Sequence, residues 1–232
     1  MRYKIASITQ RLRLPSICAL CNQYHREHRA ICTKCLHYFK PIGIACRHCA
    51  HPLPDGDFLI CGHCCKKKPH VDEVIAACHF EEPLRTLLHE FKYHEGLYLC
   101  SFLADLIVNT LPSHAKTTQC LIPVPMHPKR LRQRGFNQAV ELAKQLAHIL
   151  KLPYDLHHCI KVTNTAPQAS LNAKQRRKNL QHAFQINPLP YQHITLIDDL
   201  FTTGSTVNEL AKALKQQGVV QVDVWCCARV II

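Results

Sequence analysis

The sequence predicts an α/β fold, a parallel-rich sheet flanked by helices, preceded by a small cysteine-rich module. Three observations carry that prediction. Short apolar, β-branched runs alternate with amphipathic stretches of helical period, the pattern of strands joined by crossover helices. Four Cys-x-x-Cys pairs fall within the first 64 residues. The basic segment Cys65-Lys66-Lys67-Lys68-Pro69 follows them and places a domain boundary between residues 1–68 and 69–232. That length suits one domain of ordinary size and one small one.

The pairs are Cys18/Cys21, Cys32/Cys35, Cys46/Cys49 and Cys61/Cys64, with ten residues between the first two and eleven between the last two. A Cys-x-x-Cys turn presents two thiolates at the separation tetrahedral zinc requires, and two turns complete a four-thiolate site. Four pairs therefore predict two Zn2+ ions. A disulfide framework lacks the secretion signal it would need, and redox Cys-x-x-Cys motifs do not come in fours. Equal short spacings favour consecutive pairing, one with two and three with four, and leave a cross-braced arrangement open. Four protein ligands per ion leave no open position, so both sites are expected to be structural. His25, His28, His48 and His63 lie nearby and read as surface residues. Cys65, Cys78, Cys100, Cys120, Cys159, Cys226 and Cys227 lack metal spacing and read as small buried hydrophobes.

Beyond the boundary, Val74 to Phe80 reads as a strand, and Pro83 to His94 as a helix burying Leu84, Leu87, Leu88 and Phe91. Gly96 interrupts, and Leu97 to Leu111 forms a second apolar-faced helix. Cys120 to Pro125 is a strand that its prolines end. Phe136 to Leu150 carries an apolar stripe of helical period, and Pro153 stops it. Thr163 to Leu180 is polar, basic and rich in Gln and Asn. Ile194 to Ile197 is a short buried strand, Val207 to Gln217 a helix, and Val220 to Ala228 a closing strand. Thr206 and Glu209 stand three apart as a capping box would, and Gly218 suits the C′ position. Ligands of such sheets sit at the carboxyl ends of the strands. The loops after Val124 and Ile197 therefore form the candidate site.

Lysine and arginine number 29 against 16 Asp and Glu, a formal charge of +13 that points to a polyanionic partner. Eight thiolates on two Zn2+ remove about four of those charges. No run approaches the roughly eighteen apolar residues of a membrane span. The basic N-terminus is broken by Gln10, Arg11 and Arg13, so no signal-peptide core is read and a soluble, cytoplasmic protein is expected.

The stretch ITLIDDLFTTGST, Ile194 to Thr206, holds a strand, the acidic pair Asp198-Asp199, a hydroxyl loop and a helix start. Hydroxyls of Thr202, Thr203, Ser205 and Thr206, with backbone N–H groups around Gly204, can wrap a phosphate dianion. The two carboxylates, placed at the strand end where they reach solvent, can accept hydrogen bonds from vicinal hydroxyls. This order resembles the phosphoribosyl-pyrophosphate (PRPP) motif of type I phosphoribosyltransferases. That motif has an apolar strand, two acids, two variable residues, then T-x-G-x-T or close to it. Basic side chains cluster after Val124 (His127, Lys129, Arg130, Arg132, Arg134) and before the motif strand (Lys174, Arg176, Arg177, Lys178). Cations aimed at a pyrophosphate leaving group stabilise the charge growing on it. Mg2+ bridging the pyrophosphate oxygens would share that task.

As a whole the chain resembles the ComF family, competence-associated phosphoribosyltransferase-like proteins with an N-terminal double zinc ribbon. The likeness rests on the four cysteine pairs, Phe91-Lys92-Tyr93, Val124-Pro125, Arg134-Gly135-Phe136-Asn137-Gln138, Thr165-Ala166-Pro167-Gln168 with Arg177 and Asn179-Leu180, and the acidic motif. It implies a cytoplasmic protein of natural transformation with a type I phosphoribosyltransferase fold. Its implied partners are PRPP, incoming single-stranded DNA and a DNA-uptake helicase. On this reading Asp198, Asp199 and Arg134 are the candidate catalytic residues. Thr202, Thr203, Gly204, Ser205, Thr206, Gln168, Arg176 and Arg177 bind PRPP with its Mg2+, and Lys92 is a further candidate. The phosphoribosyl acceptor is unidentified, and its site is expected from residues 71–118, the zinc domain or a partner. The alternative is a non-catalytic, basic DNA-binding accessory module whose PRPP site is vestigial or regulatory.

Overall fold

A computed structural model describes residues 15–27, 29–93, 96–163 and 183–231. Short strands β1 (Ser16–Ile17) and β2 (Tyr24–His25) pair antiparallel on either side of the Cys18–Cys21 turn. One-turn helices α1 (Thr33–Leu36) and α2 (Gly62–Lys66) follow Cys32 and Cys61, which are their N-caps. Strand β3 (Glu73–His79) leads into helices α3 (Leu84–Tyr93) and α4 (Cys100–Thr110), the second entered through a 3-10 turn over Gly96–Leu99. Next come β4 (Cys120–Pro123), α5 (Pro128–Arg134), α6 (Gln138–Leu150) and an antiparallel ribbon of β5 (Cys159–Lys161) with β6 (Phe184–Ile186). Strand β7 (His193–Phe201), helix α7 (Ser205–Gln216) and strand β8 (Gln221–Arg229) follow.

The sheet order is β3-β8-β7-β4, and all four strands are parallel. Its strands are near-continuous apolar runs because helices cover both faces. On one face α6 sets Leu142, Ala143, Leu146 and Ala147 against Leu103 and Ile107 of α4, Ile197 and Trp225. On the other, α7 sets Val207, Leu210, Ala211 and Leu214 against Ile122, Leu196, Val224 and Cys226. Helix α7 ends as its glycine predicts. Gly218 takes φ 96°, its N–H donates to the Lys215 carbonyl at 3.1 Å, and the Val219 N–H reaches the Leu214 carbonyl at 3.3 Å.

The cysteine-rich region wraps the β3 edge. Pro41 forms an antiparallel bridge with Cys78, and the His79 N–H donates to the Lys40 carbonyl at 2.9 Å. On one side Ile31, Cys35 and Phe39 join the α4 core, with Phe39 and Phe102 rings 5.1 Å apart. On the other side Ile42, Ala50 and Val71 join the α7 core. The edge thus gains a backbone partner, and its open row of donors and acceptors is shielded.

Some elements depart from the sequence expectations. Helix α5 occupies what reads as a basic loop. Pro128 in its first turn, the His127 Nδ1 accepting the Lys129 N–H at 3.2 Å, and Gly135 at φ 86° define it. It buries no residue, so it leaves no apolar stripe to detect. The β5–β6 ribbon has three-residue strands, too short to show a period. The helix expected from Phe136 starts at Gln138, because Asn137 accepts the Ala139 N–H at 3.1 Å and caps it. Helix α7 is capped by Gly204 rather than by Thr206, so the Thr206–Glu209 capping box does not define its start.

Candidate phosphosugar site and metal clusters

The eight paired cysteines form two clusters, Cys18/Cys21/Cys32/Cys35 and Cys46/Cys49/Cys61/Cys64, with all four Sγ atoms of each within 4.8 Å of one another. Pairing is consecutive, not cross-braced. Zinc with Zn–S near 2.3 Å sets its tetrahedral sulfurs about 3.8 Å apart. Cys21 and Cys32 Sγ are 3.9 Å apart, and Cys49 and Cys61 Sγ are 3.7 Å apart. Both donor sets therefore fit Zn2+, and no cysteine is in a disulfide. Burial pushes the Cys18 thiol up, but backbone donors from Cys32, Cys21 and Leu20 outweigh it and bring it down to about 6. Burial and the neighbouring sulfurs hold Cys35 and Cys64 up instead. Of the other cysteines, Cys78, Cys120, Cys159, Cys226 and Cys227 are buried, Cys100 is half-buried, and Cys65 is exposed rather than buried. Among the four histidines, His48 is half-buried with Nδ1 3.2 Å from the Val71 carbonyl, His25 is also half-buried, and His28 lies outside the described residues.

Strand β7 runs past Ile197 to Phe201, so the acidic pair lies inside the strand rather than in a loop beyond it. Asp199 is only 6% exposed, and its Oδ2 meets the Lys92 ammonium of α3 at 2.5 Å. Burial pulls Lys92 down, but the Asp199 and Asp198 carboxylates outweigh it and leave the ammonium above its usual range. Asp198 is half-buried and accepts the Asp199 N–H at 2.9 Å. Burial first, and then the Asp199 charge, push its carboxyl up to about 7. Lys161 of β5 lies in the field of Asp198, while burial and Arg130 hold its ammonium below the usual lysine range.

The loop after β7 turns at Gly204, φ 71°. Its hydroxyls bond one another, with Thr203 Oγ1 and Ser205 Oγ 2.9 Å apart. A Cβ on Gly204 would lie 2.5 Å from Phe201 Cζ, so the glycine is required inside the protein and not only for access to a ligand. Gly204→Val is expected to lower the free energy of unfolding by about 1–3 kcal/mol, from positive φ and overpacking. Denaturant titration beside Gly204→Ala, which carries the same Cβ without the branch, checks it. Equal stability of wild type and the valine variant would refute it. Outside the loop, a cavity of about 290 Å3 is lined by His48, His63, Lys67, Lys68, Ser205 and Lys212.

β4 ends beside the middle of β7, with Pro123 in register with Ile197 and the Val124 N–H donating to the Ile197 carbonyl at 2.9 Å, and the acidic pair lies just beyond that point. Asn137 Nδ2 reaches the Val124 carbonyl at 3.1 Å and ties the basic loop to the strand end. Arg134 donates to Gln138 Oε1 at 2.9 Å and to the Tyr93 hydroxyl at 3.0 Å. Phe91 and Phe136 rings are 6.2 Å apart. The segments Phe91 to Tyr93 and Arg134 to Gln138 therefore meet beside Asp199. Lys92, read as a pyrophosphate candidate, is held by Asp199 instead. Lys129, Arg130 and Arg132 are exposed. Gln168, Lys174, Arg176, Arg177 and Lys178 lie outside the described residues. Lys161 and Arg229 carry no functional signal of their own in the sequence, each being a single residue without a motif, and Tyr93 is marked only by the Phe91-Lys92-Tyr93 segment of the family resemblance. The Arg229 Nε donates to the Cys49 carbonyl at 2.8 Å, and Nη1 donates to the carbonyls of Phe201, Thr202 and Val230.

No protein-family model matches the chain. It is 37% identical over 194 residues to "Competence protein F" of Haemophilus influenzae, an alignment covering 79% of this chain and 84% of that protein. It is 32% identical over 228 residues to "DNA utilization protein YhgH" of Salmonella typhimurium, covering 95% and 100% respectively. To "Competence protein ComFC" of Bacillus subtilis it is 26% identical over 226 residues, covering 87% and 90%. Among the described residues, no helix is long and apolar enough to cross a membrane.

Proposed function

The chain belongs to the ComF family of competence and DNA-utilization proteins, and from that premise we propose that it binds PRPP where β4 ends beside β7. The observation that supports this reading is the acidic pair, which directly follows Ile197, the β7 partner of the β4 terminus, and leads through Leu200 and Phe201 into a hydroxyl loop that opens α7. Asp198 and Asp199 accept hydrogen bonds from the ribose hydroxyls. Thr202, Thr203, Gly204, Ser205 and Thr206 hold the 5′-phosphate at the helix N-terminus. Arg134, Gln168, Arg176 and Arg177 serve the pyrophosphate, and Mg2+ would arrive on its oxygens. In transfer, the C1–O bond to pyrophosphate breaks and an acceptor atom takes its place at C1. The division at Lys68 assigns zinc binding to residues 1–68 and the sugar phosphate to 69–232. Calorimetry with PRPP tests binding, and pyrophosphate release with and without single-stranded DNA tests turnover. Binding without release would favour the regulatory alternative, and no binding would overturn the reading.

PRPP affinity should rise between about pH 6 and pH 8. The free Asp198 carboxyl titrates near 7, so below that pH a hydroxyl must displace a proton before it can donate to a carboxylate. The slope should disappear in Asp198→Asn. A retained slope would place the proton elsewhere, on the ligand's phosphate for example.

The names of the relatives, the basic charge and the lysines at the module boundary support single-stranded DNA as a further partner. Among the described residues, no ion pair engages Lys66, Lys67, Lys68 or Lys212. Binding should be independent of sequence, with log K falling linearly with log salt by about 0.7 per phosphate neutralised. Aromatic residues make up 7% of the chain, which leaves few stacking platforms. A salt-insensitive affinity would count against an electrostatic interface. A DNA-uptake helicase is the proposed protein partner, and co-purification with one from competent cells would test it.

A further inference from the structure

We infer that the second cysteine cluster holds the hydroxyl loop in place through Arg229, so that the order of this loop depends on metal at Cys46, Cys49, Cys61 and Cys64. Arg229 is the last residue of β8 and is 8% exposed. Its Nε donates to the carbonyl of Cys49, itself a member of the cluster, at 2.8 Å. Its Nη1 donates to the Phe201 carbonyl at 3.4 Å and to the Thr202 carbonyl, where the loop leaves β7. The guanidinium also lies over the Phe201 ring, 5.1 Å from its centroid, and that ring is what a Cβ on Gly204 would strike.

One rigid fork therefore joins the carbonyl of Cys49 to those of Phe201 and Thr202, beside that of its own neighbour Val230. A buried guanidinium needs acceptors for its donors, and losing one leaves a charged group unsatisfied. The Cys49 carbonyl is placed by the turn whose two thiolates the metal gathers. Removing the metal frees that turn, withdraws the carbonyl from Nε, and loosens the grip on Phe201 and Thr202. The first cluster has no such link among the described residues. Its core contacts are on the opposite face of the sheet, through Phe39 and Phe102. Arg229 is thus a positioning residue. Its relevance to sugar-phosphate binding rests on the reading above, but its effect on the loop does not.

Hydrogen exchange on the full chain, without any sugar phosphate, tests this. Two amides report on the loop. The Asn208 N–H donates to the Gly204 carbonyl, and the Val230 N–H to the Phe201 carbonyl, each at 2.9 Å. In Arg229→Gln both should lose protection by roughly tenfold or more, with two zinc ions still bound, as expected for a lost charged hydrogen bond. The pair Cys61→Ser/Cys64→Ser should lose one zinc and show the same loss at the same amides. Combining all three substitutions should add little, because one brace is removed either way. Cys21→Ser/Cys32→Ser, which empties the first cluster, should spare Asn208 and Val230. Unchanged protection in Arg229→Gln overturns the inference, as does unchanged protection after the second zinc is lost. Equal loss from emptying either cluster also overturns it, since that marks general unfolding. Ribose 5-phosphate titrated into the wild type is a separate arm. Its failure to bind would remove the sugar-phosphate reading and leave the exchange result standing.

Discussion

Converting both Asp198 and Asp199 to Asn is expected to weaken PRPP binding by two or more decades. Each carboxylate lost removes a charge-assisted hydrogen bond to a ribose hydroxyl, worth about 1.5–3 kcal/mol, and 1.4 kcal/mol is about one decade. The two positions should act on stability in opposite directions. Asp198 is desolvated and repelled by Asp199, so its carboxyl is raised to about 7. A raised acidic pKa means the native state holds a proton that the unfolded chain has released, and stability falls as pH climbs from about 4 to 7. Asp198→Asn should therefore stabilise the protein at pH 7 or above. Asp199→Asn should destabilise it by leaving Lys92 without its partner. That cost stays below the roughly 3–5 kcal/mol of a fully buried pair, because the Lys92 side chain is 20% exposed and can turn to water. The sequence alone puts both acids in reach of solvent, and for Asp199 the structure corrects it. Calorimetry with denaturant titration on each single variant and the double decides the matter. Unchanged affinity in the double variant would make the acidic pair structural.

Stripping the metal should have the largest effect on the fold. Structural zinc contributes about 10–16 kcal/mol in small cysteine sites, comparable to or larger than the stability of a typical domain. Two ions per chain are expected by metal analysis of untagged protein, and one or none after gentle purification would refute the two-site claim. The loss should not stop at the cysteine region. Cys18, Ile31, Cys35 and Phe39 belong to the same core as Phe102 and Leu103 of α4, so Cys18→Ser should loosen the helical layer of the sheet as well. Near-ultraviolet circular dichroism and chelator titration report it. Native α4 packing in a zinc-free first cluster would show that the helical layer holds without it.

Much of this arrangement is legible in the sequence because apolar period and ligand spacing are local signals. Leu84, Leu87, Leu88 and Phe91 are all buried as their spacing predicts, and so are Val207, Leu210, Ala211 and Leu214. Cys-x-x-Cys spacing identifies the ligand sets, although only three-dimensional structure distinguishes consecutive from cross-braced pairing. The misses have physical causes. Helix α5 is solvated all round and carries no stripe. The extension of β7 through Asp198 and Asp199 follows from pairing with β8, where Asp198 lies opposite Cys226, and pairing is not a local property. The roles of Lys92 and Lys161 depend on which carboxylate each meets across the fold. Gly204 reads as a loop glycine, but its close approach to Phe201 emerges only once the helix start is placed.

Strand β8 lies between β3 and β7, and this has a kinetic consequence. The Val222 N–H donates to the Asp72 carboxylate across 150 positions of chain, and among the described strands of the sheet β3 pairs with β8 alone. As the ribosome releases the chain, β3 and β4 emerge well before β8, the strand that joins β3 to the others, and only helix α7 separates β7 from it. The edge of β3 that β8 will take stays open through most of synthesis, while residues 40–42 cover the other edge. Long-range parallel pairing of this kind is slow to form and prone to association meanwhile. Early closure of the cysteine turns around metal would fold residues 40–42 onto the outer edge of β3 and leave only its β8-facing edge open while β8 is still being made.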